Sequence, residues 1–401
     1  MKIIQFVNSL DMGGIERLAV ELAFRQKAAG HEPIIYCLTH RGDFAEEAEA
    51  SGVRVVAFEK PPGPSLATLL AIFKSLRKDR PDVLHTHNHL VHHYGAVAGR
   101  LAQVSTIVNT RHGALIKIER HGPKFVATAK SPDEKADLIY RASLPWTDAV
   151  VLISEATRRF YIWHRRIPAA KTHVILNGAR LDRFLSCPAS PGGARPRIRF
   201  GTASRMVADK DHFTLLNAFA QVAESLQNVE LHVAGDGPLS SSIRSYASEL
   251  KLSDKVTFHG AIGDIARYLQ SLDIFVLSSV NEGLPIAVLE AMAAGLPIVS
   301  TRAGGIQEAA IDGVNALFAD CGDAKGLARA MLQMAQRPNL REIGARGREL
   351  VAKRFQIDRT WSEYDRLFND LRSRQHSAKL APAADTSRPR PENQEGRIPV
   401  S

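Results

Sequence analysis

The stretch Ile274-Phe275-Val276-Leu277-Ser278-Ser279-Val280-Asn281-Glu282-Gly283-Leu284-Pro285-Ile286-Ala287-Val288-Leu289-Glu290-Ala291-Met292-Ala293-Ala294-Gly295-Leu296-Pro297-Ile298-Val299-Ser300 decides the fold. It opens with a short apolar run of strand length, Ile274–Leu277, and closes with another, Ile298–Ser300. Between them Leu284–Ala294 has helical length, starts at a Gly-Leu-Pro turn and stops at Gly295. Strand, helix and strand joined by short links make a βαβ unit, which requires a parallel sheet. Two acids interrupt the unit. Glu290 stands in the body of the apolar helix, where a carboxylate has to be paired or hydrogen-bonded to avoid a cost of several kcal/mol. Glu282 stands just before the helix, at its open N-terminal mouth. Such a pair suits a polyhydroxylated ligand, whose hydroxyls need fixed acceptors and whose phosphates face the helix end. A buried ion pair plus a loop acid accounts for the spacing equally well, so the rest of the chain has to discriminate.

The same alternation extends in both directions. Upstream, the candidate strands Lys2–Val7, Pro33–Leu38, Arg54–Phe58, Asp82–Thr86, Thr106–Thr110, Asp148–Ile153 and His173–Leu176 are interleaved with helical patterns at 15–29, 66–78 and 90–101. A Pro/Gly/Ser-rich stretch, 186–197, interrupts the series as a linker. A second series follows, with strands at 198–203, 229–234, 256–258, 274–277 and 298–300 and helices between them. The expected class is α/β, with two doubly wound Rossmann-like domains at 1–185 and 198–356 facing a central cleft. The helical pattern Ile357–Leu371 carries Trp361, Tyr364, Leu367 and Phe368 on one stripe; beyond it, 375–401 has too little apolar content to fold and is expected to be disordered.

Length and composition agree with two soluble domains: 401 residues exceed one ordinary core, and no window approaches the ~18 apolar residues of a membrane span. The N-terminus lacks the longer apolar region of a signal peptide, and Cys37, Cys187 and Cys321 are far apart, so a cytoplasmic location is expected. The net charge of +10 is uneven: residues 1–190 carry +8 and residues 191–401 carry +2. A basic N-terminal half points to an anionic partner, a phosphorylated substrate or an anionic membrane surface. Nucleic acid is disfavoured, because no binding module is present and aromatics make up only 6%.

Several loops would meet at the cleft. Gly13-Gly14 lies between the first strand and first helix, and lets the backbone approach a phosphate at the helix end; a plain tight turn is as good an account. Arg205 and Lys210 occupy the equivalent loop of the second series, where a guanidinium fork and an ammonium can clamp a diphosphate, or simply be solvated. Gly235-Asp236-Gly237-Pro238 and Gly304-Gly305 supply further glycine turns on that edge, and the amides of Ala261 and Ile262 could read a base. His85, His87 and His89 alternate near a strand end, but no carboxylate or cysteine joins them, so no metal is expected. His112, with Arg111, is expected to be aimed at the cleft.

Glu282 and Glu290 at E-x7-E spacing, Arg205 with Lys210, Gly13-Gly14, Gly235-Asp236-Gly237-Pro238 and Asn177-Gly178 together resemble the GT-B retaining glycosyltransferases of family 4, over roughly 1–372. The resemblance implies transfer of a sugar from a UDP- or GDP-sugar donor, with retained configuration and no cofactor or essential metal, to a glycan or lipid-linked acceptor. It implies that Arg205 and Lys210 bind the donor diphosphate, Glu290 the ribose and Glu282 the transferred sugar. Gly14 would approach the phosphate, and His112 would lie by the reacting centre. Gly13, Gly235, Ile262, Gly283 and Leu284 complete the implied donor site, and the last helix, 357–372, would pack back on the N-terminal domain. The Gly13–Arg17 variant looks most like bacterial exopolysaccharide and lipopolysaccharide members. One departure concerns Lys210: the family often has glycine next, whereas here Asp211 follows and reads as a helix cap. A sugar-nucleotide 2-epimerase or a non-catalytic nucleotide-sugar-binding protein would share the scaffold. The stretch 116–130 mixes Lys117, Arg120, Lys124 and Lys130 with Ile116, Ile118, Phe125 and Val126, so it is either a membrane-docking segment at the inner face of the membrane or a mobile surface loop.

Overall fold

A computed structural model describes residues 1–114, 116–122, 124–131, 134–187 and 196–380, excluding the side chains of 120, 124, 136 and 377–380. The first half builds a seven-stranded parallel sheet in the order β3-β2-β1-β4-β5-β8-β9. Its strands are β1 (Lys2–Val7), β2 (Glu32–Cys37), β3 (Arg54–Ala57), β4 (Val83–His87), β5 (Thr106–Arg111), β8 (Ala149–Leu152) and β9 (Thr172–Val174). An antiparallel hairpin, β6 (Lys117–His121) and β7 (Lys124–Thr128), stands apart from that sheet. The second half builds a six-stranded parallel sheet in the order β12-β11-β10-β13-β14-β15. These strands are β10 (Ile198–Ala203), β11 (Val229–Ala234), β12 (Val256–Gly260), β13 (Ile274–Leu277), β14 (Ile298–Thr301) and β15 (Ala316–Ala319). All residues of β4, β5, β8, β13 and β14 are buried, as a sheet covered by helices on both faces requires.

Each sheet reverses its winding once, between β1 and β4 and between β10 and β13. At such a switch point the helices that follow the two strands leave on opposite faces, and their N-termini open a crevice at the strand ends. The loops after β1, β5 and β10 to β14 carry most of the residues singled out above. The helix Ile286–Ala293 buries Val288, Leu289, Ala291, Met292 and Ala293; Pro285 caps it from an extended conformation rather than filling its first turn.

The last helix, Ile357–Leu380, crosses back to the first half. Trp361, Tyr364, Leu367, Phe368 and Leu371 pack on Ile3, Val83, Val108, Ala149 and Val151 of the first sheet. Burying five side chains of that size is worth on the order of 10 kcal/mol before ordering costs. The helix extends past the expected stop at residue 375. Gln375 is held by Thr106 (Oγ1 to Oε1, 3.2 Å), and its Nε2 donates to Ser105 O at 2.8 Å, so polar contacts carry it where apolar ones end. Residues 381–401 and 188–195 of the expected linker lie outside the described residues.

The hairpin corrects one expectation. Phe125 is buried in the core of the second half, its ring 6.0 Å from that of Phe213, and Ile118 and Ala127 pack on the same cluster. Phe125, Ile118 and Ala127 thus bridge the two halves and are not free to enter a bilayer, while Ile116 and Val126 stay half-exposed outside that cluster. The side chains of Arg120 and Lys124 lie outside the described residues.

Candidate functional site

On the second half, the loop after β13 folds against the loop after β10. Lys210 Nζ meets Glu282 Oε1 at 2.5 Å, and Ser279 Oγ donates to the same oxygen at 2.7 Å. Ser278 Oγ donates to the carbonyls of Lys210 (2.8 Å) and Asp211 (3.0 Å), tying the lysine's backbone to the strand end. Glu282 is buried, so the ion pair needs these extra hydrogen bonds to offset desolvation. Behind it, Gly304 has φ +55°, and a Cβ there would lie 1.8 Å from Glu282 O; only glycine fits. Arg205 is exposed, with no carboxylate in ion-pairing range among the described residues. Its loop is held by Met206 N donating to Asp236 O at 2.9 Å, which brings the Gly235 turn underneath.

Asp211 explains the departure after Lys210. It adopts a left-handed conformation (φ +40°), which favours glycine but admits aspartate at modest cost. Its carboxylate accepts from Thr214 Oγ1 at 2.7 Å and Thr214 N at 3.3 Å, capping the helix His212–Ser225, and from Phe125 N of the hairpin at 3.4 Å.

Glu290 is placed differently from the expectation of full burial. Its side chain keeps 19% exposure, and its one ionic partner among the described residues is Arg183, at 3.5 Å on the short helix Asp182–Leu185. Burial pushes its carboxyl up to about 7, against the pull of Arg183. It is therefore a part-protonated acceptor near neutrality, held loosely.

On the first half, His112 follows β5 and is built on a chain of neutral side chains. Its Nε2 lies 2.8 Å from His87 Nδ1, and His87 Nε2 lies 2.8 Å from Gln5 Oε1. Burial depresses His87 to about 3 and His112 well below its ordinary value, so both rings are neutral. An amide oxygen only accepts, so His87 carries its proton on Nε2 and accepts at Nδ1. His112 must then donate from Nε2, which leaves its Nδ1 as a bare lone pair with no partner among the described residues. His85 is spent on Thr110 (2.7 Å) and His92 on Thr86 and Thr147 (2.8 and 2.9 Å). Among the described residues no cluster of three His, Cys, Asp or Glu could hold an ion. Arg111 does not reach the cleft. It is buried between the rings of Tyr140 and Tyr161 and donates to Tyr161 OH at 2.9 Å.

The two edges touch. A Cβ on Gly283 would fall 2.4 Å from His112 O, so only a bare backbone lets the Glu282 loop pass His112. A Cβ on Gly14 would lie 3.8 Å from Ile286 Cδ1, which sets the N-terminus of the helix Gly14–Ala28 against that of Ile286–Ala293. Glu16 folds back over Gly13 onto the first amides of its own helix; burial raises its carboxyl, while those amides and the charge of Arg205 pull the other way. Ile262 is half-buried beyond β12, and Leu284 is buried beneath the Glu282 loop. Arg205, Lys210, Glu282, Gly283, Gly14 and His112 thus converge, while Glu290 is turned to Arg183.

Three contacts carry no local signature in the sequence. The Glu308 carboxylate accepts from Glu155 N and Ala156 N at 3.0 Å each, capping a helix of the opposite half from 152 residues away. Arg183 and Gln5 likewise meet their partners only through the fold. Ser154-Glu155 marks a capped helix start, which is the only trace of the first of these.

Comparison with known proteins agrees with this geometry. Residues 194–349 match the family described as Glycosyl transferases group 1, and residues 12–183 match Glycosyltransferase Family 4. EpsD of Bacillus subtilis, named as a glycosyltransferase, is 31% identical over 313 residues, 73% of this chain and 79% of EpsD. The lipopolysaccharide core biosynthesis glycosyltransferase LpsE of Rhizobium meliloti is 29% identical over 363 residues, covering 88% and 95% of the two chains. Among solved structures, Anabaena HepE in complex with UDP superposes with a TM-score of 0.77 at 20% identity, covering 92% of this chain and all of HepE. The shared architecture is GT-B, and the chain belongs to the group 1 glycosyltransferases of family 4.

Proposed function

We propose that this enzyme moves a sugar from a UDP- or GDP-sugar to a glycan or lipid-linked acceptor in cell-surface polysaccharide synthesis, with retention of configuration. Residues 198–356 act as the donor half and 1–185, with the last helix, as the acceptor half. The observation that carries this reading is the meeting of Arg205, Lys210–Glu282 and two opposed helix N-termini beside His112. Relatives point the same way: LpsE is named for lipopolysaccharide core biosynthesis, and an Escherichia coli relative, 24% identical, for galactosyl transfer to a diphosphoundecaprenol-linked sugar.

The chemistry follows from where charge develops. Cleaving the glycosyl–phosphate bond leaves a diphosphate, whose growing charge is met by Arg205, Lys210 and the amides at the two helix ends. Glu282 keeps Lys210 pointed into the cleft and offers its second oxygen to the transferred sugar. The bare Nδ1 of His112 accepts from a hydroxyl of that sugar. Glu290 accepts from the ribose. Closure around the site excludes water and favours transfer over hydrolysis.

The test is a donor panel of UDP- and GDP-sugars with lipid-linked and glycan acceptors, read as nucleotide release and product mass. Acceptor-dependent release from one donor is expected, with the anomeric centre of the product matching the donor by NMR. No release from any donor removes the reading, and an inverted product removes retention.

A further inference from the structure

Four large apolar side chains of the first half, Leu138, Ile139, Trp146 and Trp163, are exposed on the helices Glu134–Ser143 and Glu155–Arg165 and the Leu144–Trp146 turn. Leu138 and Ala142 lie one turn apart on the first helix and, with Pro145 of the turn that follows, are exposed, Leu138 by 67%. On the second, Arg159 and Trp163 lie one turn apart, Arg166 is the exposed left-handed residue that ends the helix, and Trp163 is 78% exposed, more than any other large apolar residue described. A depression of about 530 Å³ lies between the first helix and the segment that follows the second, lined by Leu138, Arg141, Ala142 and Pro145 on one side and Arg166 and Pro168 on the other. Trp146, next to Pro145 in the chain, is 44% exposed.

The charge around this face is mostly positive, with Glu134, exposed one turn before Leu138, as an acid without an ion-pair partner among the described residues. Asp137, Asp148 and Glu155 are each spent on a neighbouring arginine, at 2.9, 2.6 and 3.1 Å. Lys135, Arg141, Arg159 and Arg166 have no carboxylate in ion-pairing range among the described residues. Exposed tryptophan and leucine ringed by unpaired cations match a bilayer interface, where the rings enter the headgroup layer and the cations meet lipid phosphates. A second copy fits poorly, because an isologous contact would set these cations against themselves.

We propose that this face docks the protein on an anionic phospholipid bilayer. It rests on the proposed reading of a lipid-linked acceptor, and its position serves that reading. The inner side of the helix Glu155–Arg165 carries Tyr161, whose hydroxyl donates to Gly113 O at 3.0 Å, next to His112. One helix diameter, about 10 Å, thus separates the bilayer face from the cleft. The hairpin is spent on the second half, so these helices take the role its sequence suggests.

The experiment is binding of the full chain to vesicles of phosphatidylcholine with and without phosphatidylglycerol, at low and high salt, without substrate. The parent is expected to bind only the anionic vesicles, more weakly in high salt, with a blue shift of tryptophan emission. Trp361 is buried, so the shift reports Trp146 and Trp163, and Trp163→Phe should bind while losing most of it. Arg141→Glu with Arg159→Glu and Arg166→Glu should lower partitioning on the order of 100-fold. Leu138→Asp with Trp163→Asp should abolish it. Leu66→Asp with Leu70→Asp, an exposed apolar pair beyond the helix His89–Leu101, should not. No binding by the parent, binding that survives both sets of changes, or a dimer that the same changes dissolve overturns the proposal. Nucleotide release with the acceptor in detergent tests the proposed function separately, since it needs no bilayer.

Discussion

The two edges that face each other across the cleft are built on opposite principles. The second half presents charge: an exposed Arg205, a lysine locked to Glu282 and a half-ionised Glu290. The first half presents mostly neutral groups, because burial keeps His85, His87, His92 and His112 neutral and each is tied into a hydrogen bond, and its one acid at the site, Glu16, is folded onto its own helix. On the proposed reading, charge stands where a diphosphate gains charge, and neutral, fixed acceptors stand where a sugar's hydroxyls must be oriented. Mutations should therefore act through rate on one edge and through geometry on the other.

The largest effect is expected at the cations. Arg205→Ala should lower kcat/KM by about 10²-fold or more, as for loss of one donor to a developing charge. Lys210→Ala should cost at least as much and also destabilise the fold, because it strands the buried carboxylate of Glu282, by about 3–5 kcal/mol. Lys210→Ala with Glu282→Gln should recover much of the stability and none of the rate. Recovery of both in denaturation and kinetic assays would mean that the pair is structural, and the contrast between the edges would fail.

Glu290 comes next. Glu290→Gln should weaken nucleotide binding by about 1–3 kcal/mol. The raised pKa gives this a pH signature. The group is largely protonated below about 7 and ionised above it, and ribose hydroxyls donate better to the ionised form. Nucleotide affinity should rise as pH passes upward through about 7, beyond any rise that Glu290→Gln retains. Stability moves oppositely, since a carboxyl whose folded pKa lies above its ordinary value loses stabilisation as pH climbs from about 4.5 to about 7. Parallel calorimetric curves for parent and variant would remove Glu290 from the ribose.

A smaller change is expected at the seam between the halves. Glu308→Ala leaves the amides of Glu155 and Ala156 without their acceptor, at a cost of about 1–2 kcal/mol. The halves should open, raising the radius of gyration in X-ray scattering and KM more than kcat. An unchanged radius would show that the hairpin and last helix hold the seam unaided.

How much of this is legible in the sequence follows the same division. Parallel strands buried on both faces leave continuous apolar runs, so β10, β13 and β14 stand out, and loops at their ends carry the charged residues one after another. Arg205, Lys210 and Glu282 could be named because each sits in a turn at a strand end. The hairpin Lys117–Thr128 hides because its polar residues mask the apolar alternation, and the helices Glu134–Ser143 and Glu155–Arg165 hide because polar residues dominate both. Gln5, Arg183 and Glu308 are illegible for a different reason. Each is an ordinary residue in a strand or helix, and acquires its part only when the fold brings a partner 82, 107 or 152 residues away.

Gln5 gives the smallest effect and the sharpest test of the neutral edge. Its amide oxygen fixes the proton on His87 Nε2, and through it the proton on His112 Nε2. Gln5→Leu removes the acceptor and lets both rings exchange tautomers. Gln5→Glu sets a buried carboxylate against His87, which should bind a proton, become a donor at Nδ1, and force His112 to carry its proton on Nδ1 instead. The sign of the hydrogen bond offered to the sugar is then reversed. A sugar hydroxyl can both donate and accept, so the cost is modest, about tenfold in kcat/KM for Gln5→Glu and less for Gln5→Leu. Nitrogen chemical shifts of the labelled imidazoles report the tautomers directly. The parent should show His112 protonated at Nε2 and Gln5→Glu should show it at Nδ1, with unchanged thermal unfolding in Gln5→Leu separating the relay from simple loss of packing. If His112 keeps one tautomer in all three proteins, its orientation is set by the Asn88 contact at its backbone and not by the chain from Gln5.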